Sequence, residues 1–288
     1  MGGAENAWLG WVFAGAFGLA IGSFVNVVIH RVPLGESLVR PRSRCPACRA
    51  QIAAWDNVPL LSYLWLRGRC RHCGIRIPSR YPLIELACGL SFVALYAAHG
   101  PSLETLLWWA FAAGLIAAAG VDYDHGFIPD ALSLGGLALG LLALPPVRAL
   151  AGEPFGWALA NSAIGAALGA GALWAVGFAH ARLSVALGRS FSHWPGEGEE
   201  LPRPNSLDYW IWFPGLGFGD VKLIGMAGAF LGPAGVVQTI LLASLLGLPL
   251  GLWLTRARGL ASPFGFGPAL ALAALVVAVV APLGGWPL

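Results

Sequence analysis

The chain has 288 residues, of which 57% are hydrophobic and only 11% charged, and its mean hydropathy is +0.71. Such a composition excludes an ordinary water-soluble globular domain, where about a quarter of residues are charged, and indicates a polytopic membrane protein. The net charge of +3 says little by itself; where the basic residues fall is more informative.

About 20 apolar residues span a bilayer core. Eight apolar runs are predicted as crossings, approximately residues 8–28, 83–98, 103–121, 131–144, 157–183, 218–231, 234–254 and 267–281. The fourth and sixth are short for a full crossing. The first run lacks a basic start and continues into Gly22-Ser-Phe-Val-Asn26-Val-Val-Ile-His30-Arg31 without an obvious small-residue cleavage site, so it reads as a retained helix. Of the 17 Lys and Arg residues, ten are arginines between His30 and Arg80. Arg182, Arg189, Arg203, Lys222, Arg256 and Arg258 fall in segments of the same parity, and only Arg148 lies opposite. Basic loops stay in the cytoplasm, which predicts both termini outside and the Arg-rich loop inside.

That loop holds Cys45-Pro-Ala-Cys48 and Cys70-Arg-His-Cys73, two C-x-x-C pairs separated by 21 residues. Each pair makes a tight turn that aims two thiolates at one point, and two such turns complete a four-sulfur zinc shell. Metal binding would stabilise a segment with little core of its own. Neighbouring Arg44, Arg49, Arg69 and Arg71 would favour thiolates, and a reducing cytoplasm disfavours disulfides. Cys88, alone in the second helix, reads as a small packing residue. The loop shows no recognition helix or aromatic stacking platform, so nucleic acid is not expected as a partner, and its arginines suit anionic lipid headgroups.

The third run ends in Gly120-Val-Asp122-Tyr-Asp124-His125, and the sixth begins in Gly217-Phe-Gly219-Asp220-Val-Lys222. Carboxylates beside hydrocarbon are costly and usually functional. Helix parity puts Asp122 and Asp220 on one side of the membrane, and two converging carboxylates are the minimum equipment of an aspartic protease. Asp124, two residues on, points in another direction; Asp130 is placed to cap the fourth helix. The Asp-x-Asp-x-Gly spacing lacks the later acidic ligands of a calcium loop. Gly217 and Gly219 let backbone approach the carboxylate, and Lys222 either snorkels, binds substrate or tunes the acids.

These motifs resemble the type IV prepilin peptidases, membrane aspartic peptidases with a G-x-G-D motif. The resemblance runs from Gly22–Arg31 and the four cysteines through Asn57-Val-Pro59-Leu-Leu-Ser62-Tyr63, Arg80-Tyr-Pro82-Leu-Ile-Glu85, Asp122–Asp130 and Gly217–Leu223 to Pro263-Phe-Gly265-Phe-Gly267-Pro268. It implies Asp122 and Asp220 as the catalytic pair, with Asp124, Gly217, Gly219 and Lys222 in support, and Cys45, Cys48, Cys70 and Cys73 as metal ligands. It further implies cleavage of prepilin and pseudopilin precursors at the cytoplasmic face, in a bacterial inner membrane, and methylation of the new N-terminus with S-adenosylmethionine. The residues themselves do not yield the methylation.

The expected architecture is an all-α polytopic membrane protein. It comprises a first transmembrane helix (1–29), a small zinc-ribbon-like domain (30–81) between helices 1 and 2, and a membrane-embedded peptidase domain (82–288) with an insertion at about 184–213. The alternative is an ion or solute transporter using intramembrane carboxylates, with the zinc module as regulator. A transporter calls for related halves and helices broken at mid-membrane, whereas these acids lie near helix ends.

Overall fold

The computed structural model describes residues 7–189, 194, 201–214, 216–258 and 265–283. Among them the regular structure is helical: α1 (Ala7–Arg31), a 3₁₀ turn (Ala54–Asn57), α2 (Leu61–Trp65), α3 (Arg80–His99), α4 (Leu103–His125), α5 (Asp130–Leu142), α6 (Leu144–Leu150), α7 (Phe155–Ala186), α8 (Asp208–Ile211), α9 (Phe218–Arg258) and α10 (Gly267–Leu283). An apolar segment in hydrocarbon must satisfy its backbone internally, and a helix does so without a partner. Six spans are long and apolar enough to cross a membrane, with α10 a shorter apolar helix.

The short fourth run gains length from α6, so that residues Asp130–Leu150 make one 21-residue span. The sixth and seventh runs lie within α9, whose 41 residues are interrupted at Gly232 (φ 67°, ψ −176°), with Pro233 next. A Cβ added to Gly169 of α7 would meet both the Ile224 carbonyl and the Val236 side chain. In an unbroken helix those two residues would stand about 18 Å apart along the axis. The chain therefore turns back at Gly232, where the left-handed φ suits a residue without Cβ, and residues 218–231 and 233–258 form two arms. The eight apolar runs thus correspond to eight helical limbs.

Two compact units divide the chain at Val121/Asp122. In the first, α1 packs on α3, with Phe13, Phe17, Phe92 and Trp109 of α4 in one aromatic cluster in which Phe92 and Trp109 stack at 5.0 Å. Cys88 is fully buried in α3, in keeping with a packing role.

In the second unit, α9 packs against α7, α5 and α10. Without a hydrophobic drive between helices in lipid, small residues let backbones close up. At the α7–α9 contact a Cβ added to Gly228 would collide with the Gly165 carbonyl group. Gly228→Ala is therefore expected to cost about 1–3 kcal/mol by overpacking, lowering the thermal midpoint of the purified protein. Gly114→Ala, with open space around it in mid-helix, is the control that does not lower the midpoint.

Candidate functional site

Asp122 lies in the last turn of α4 and Asp220 in the first turn of α9. Both belong to the second unit, and both are more than nine-tenths buried, at 6% and 7% exposure. Both border Ile128: a Cβ added to Gly219, next to Asp220, would meet Ile128, and one added to Gly267 would meet both Ile128 and Asp122 Oδ2. The expected partner acid of Asp122 is thus brought to its neighbourhood from almost a hundred residues away.

Two glycine turns of the same sequence frame the pair. Gly217-Phe-Gly219 opens α9, where the Asp220 N–H donates to the Gly217 carbonyl (3.0 Å), and an added Gly217 Cβ would sit 3.6 Å from Asp220 Oδ2. Gly265-Phe-Gly267 opens α10, and the Gly267 N–H donates to Asp122 Oδ2 (3.1 Å). Ile128, buried just after α4, is wedged between the turns: an added Cβ at Gly219 would lie 3.1 Å from its Cβ, and one at Gly267 would lie 3.1 Å from its Cδ1. Sequence reasoning assigned no role to Gly265, Gly267 or Ile128. The signal was there in the repeated Gly-Phe-Gly tripeptide, each copy preceding an apolar helix. Pro263 and Phe264 of that motif lie outside the described residues, as does Gly215.

An added methyl at Gly267 would fall 2.6 Å from Asp122 Oδ2, so the carboxylate must swing away from its backbone donor. Gly267→Ala is expected to reduce peptide cleavage by about 10²-fold, the cost of a misplacement on the 1 Å scale, while the protein remains extractable and folded. The readout is initial rate by product mass.

The supporting residues separate. Lys222 is paired with Asp130 at the start of α5 and lies 5.6 Å from the Phe218 ring centroid, so it ties the entry of α9 to that of α5. Asp130 does not cap α5: Pro129 occupies the cap position without a side-chain bond, and the Asp130 carboxylate is directed to Lys222. Asp124 is exposed at the end of α4.

The segment read as an insertion at 184–213 begins inside α7, which runs on to Ala186, and its later part is laced to α7. Trp174 Nε1 donates to the Trp210 carbonyl (2.8 Å), Arg182 to that of Tyr209 (3.3 Å), and the His180 ring bonds that of Pro214 (3.2 Å). Arg182 also stacks 3.8 Å over the Tyr209 ring, and Phe213 with Trp194 and Ala181 forms a small core. This lacing delivers the chain to Gly217 from a fixed direction. The acidic residues of 195–200 lie outside the described residues.

In the Arg-rich loop of the first unit, Cys45, Cys48, Cys70 and Cys73 bring their sulfurs within 4.8 Å of one another. The Cys45–Cys73 sulfur separation is 3.8 Å, far from a disulfide bond and equal to the edge of about 3.8 Å expected for a tetrahedron with 2.3 Å metal–sulfur bonds. The two knuckles repeat one backbone pattern: Cys45 N–H to Ala50 and Arg49 N–H to Cys45, then Cys70 N–H to Ile75 and Gly74 N–H to Cys70. The residue after each second cysteine, Arg49 or Gly74, takes a positive φ. Backbone N–H groups of Cys48 and Ala47 pull the Cys45 thiol down to about 6, and those of Cys73 and His72 lower Cys70. The thiolate preference of these two thus comes chiefly from turn amides, whereas at Cys73 the Ile75 amide is outweighed by burial and the neighbouring cysteines, which push the thiol up to about 11. Arg71, expected to contribute, forks instead onto Asp56 at 2.5 and 2.8 Å.

The geometry finds its counterpart in known proteins. The bacterial peptidase A24 N-terminal domain matches residues 16–99, and the type IV leader peptidase family matches residues 109–252. The chain belongs to the type IV leader peptidase family. Among its relatives, proteins named prepilin leader peptidase/N-methyltransferase, one from Myxococcus xanthus (strain DK1622) is 38% identical over 253 residues, covering 88% of this chain and 65% of that one. One from Burkholderia pseudomallei (strain K96243) is 36% identical over 297 residues, covering 90% and 82%. One from Stutzerimonas stutzeri is 36% identical over 295 residues, covering 90% and 86%. No solved structure matches the chain. This leader peptidase family member is a multi-pass membrane protein, and nothing in its relatives supports the transporter alternative.

Proposed function

We propose that the chain is a prepilin leader peptidase and N-methyltransferase that removes the short basic leader of type IV prepilins and pseudopilins. The observation that carries the reading is the pair of deeply buried carboxylates, Asp122 and Asp220, held in one unit at the ends of apolar helices. Neighbouring acids do not both ionise cheaply, so the pair shares a proton. The ionised carboxylate takes a proton from a water molecule as its oxygen attacks the scissile carbonyl carbon. The protonated one donates to the carbonyl oxygen, and on collapse the C–N bond breaks with a proton passing to the leaving amine. Gly267 N–H orients the Asp122 side of the pair, and Gly217, whose added Cβ would sit 3.6 Å from Asp220 Oδ2, keeps side-chain bulk away from the other acid.

Asp122, Asp220 and the Arg-rich loop face the cytoplasm in this reading, since basic loops remain there, and membrane lipids surround the limbs. Functionally the chain divides into a first helix (1–29), a four-cysteine zinc module (30–81) and the peptidase domain (82–288). Zinc is the metal for which four thiolates at tetrahedral spacing are suited. S-adenosylmethionine supplies an electrophilic methyl group for the new N-terminus.

Incubation of the purified protein with a prepilin, with and without S-adenosylmethionine, followed by mass measurement, tests the whole reading. Loss of the leader mass alone without the methyl donor, and a further gain of one methyl with it, are the expected results. An unchanged substrate mass refutes the proposal.

A further inference from the structure

The peptidase chemistry leaves Glu85, a carboxylate in the second turn of the apolar helix α3, unused. An ionisable group at such a position needs a reason. Glu85 Oε2 accepts the Leu60 N–H at 2.9 Å, and Ser23 of α1 follows Gly22, whose added Cβ would meet Glu85. A carboxylate has about four acceptor positions, so the Leu60 donor leaves it capacity for more. One turn away on the same contact lies Asn26, 4% exposed. Its Nδ2 donates to the carbonyls of Gly22 (3.2 Å) and Tyr81 (3.1 Å), which fixes the amide orientation, and its Oδ1 has no hydrogen-bond partner. A buried acceptor without a donor costs about 1–3 kcal/mol. The α1–α3 contact is close here, since an added Cβ at Gly22 would fall 2.6 Å from Glu85 Cα, so Glu85 and Asn26 lie one helical turn apart along one helix contact.

The unmet capacity along this contact is all acceptor, and its formal charge is negative. Its chemical complement is a cationic hydrogen-bond donor. Methyl transfer to nitrogen requires such a group twice, because the acceptor amine arrives as an ammonium and the amino-acid end of the methyl donor carries another. We propose that Ser23, Asn26 and Glu85 form a binding site for a primary ammonium group, a reading that rests on the chain being an N-methyltransferase. Where that ammonium is the new peptide N-terminus, its proton passes to the Glu85 carboxylate, leaving a neutral amine whose lone pair is free for methylation. The positive-φ Leu60, bound through its N–H to the same carboxylate, makes the Asn57–Tyr63 segment the neighbour of whatever binds.

Glu85→Gln decides the matter, because the amide oxygen still accepts from Leu60 while the charge and the proton acceptor are lost. Three probes are titrated into the purified full-length protein: a peptide of the mature prepilin N-terminus with a free amine, the same peptide N-acetylated, and S-adenosylhomocysteine. The expected result is that the wild type prefers the free over the acetylated amine by about 10-fold or more, the worth of a charge-assisted hydrogen bond. Glu85→Gln removes that preference, slows methylation by at least a similar factor and leaves leader cleavage at the wild-type rate. If S-adenosylhomocysteine binding falls instead, the ammonium is that of the methyl donor and the site stands. Should Glu85→Gln fail to fold, Ser23→Ala carries the same comparison. Unchanged probe binding and methylation in the folded variant overturn the proposal and reduce Glu85 to a tether for Leu60. A wild type that cleaves but never methylates refutes the methyltransferase reading, and the binding arm then still decides the site.

Discussion

Asp122→Asn and Asp220→Asn are each expected to reduce prepilin cleavage by about 10²–10⁴-fold or more, the range associated with a positioned general acid or base. Each substitution keeps the shape of the side chain and removes the shared proton equilibrium. Because both side chains are buried among apolar helices, exchanging a carboxyl for a neutral amide does not threaten insertion, and the variants should extract, purify and melt like the parent. The check is the mass of the product formed from a full-length prepilin by equal amounts of folded enzyme. The double variant should be no worse than either single one, since two acids acting as one unit are lost together. Cleavage at the parent rate by either single variant would remove that residue from the mechanism.

The second large effect is at the cysteines. Replacing Cys45 and Cys70 with Ser takes one thiolate from each knuckle, and these are the two sulfurs that the turn amides favour as thiolates. The parent is expected to hold one zinc per chain by elemental analysis and the variant none. Structural zinc contributes about 10–16 kcal/mol in small modules at neutral pH, so the loop around it should become sensitive to limited proteolysis between Arg40 and Arg76. Loop sensitivity should appear equally in the parent after treatment with a strong chelator. A parent protein without metal, or a variant that still holds it, contradicts the assignment. The peptidase acids lie in the other unit, so the same variant also tests whether cleavage depends on the metal module.

Much of this protein was legible in its sequence because the controlling physics is local. Hydrocarbon forces apolar runs into helices, so the number and order of limbs followed from composition along the chain, including the two arms that share α9. Cys-x-x-Cys spacing prescribes its own turn, which is why the four sulfurs converge as expected. Helix parity predicted Asp122 and Asp220 on one side of the membrane, and both are buried in the second unit. What composition could not supply was the partner of each polar group. Asp130 looked like a cap but meets Lys222, Arg71 looked like a thiolate partner but meets Asp56, and the Asp122 carboxylate receives a backbone N–H from Gly267, 145 residues on.

Hydropathy and spacing over a few residues were enough to read the membrane class, the helical limbs and the metal knuckles, and to single out the two acids as candidates. The tertiary structure alone decided which turns enclose those acids, that Ile128 is wedged between them, that α7 laces the approach to Gly217, and that Glu85 and Asn26 lie along one helix contact. Those arrangements depend on close approach between helices remote in the chain, where the absence of a Cβ or the direction of one N–H decides the contact, and no periodicity along a sequence encodes that.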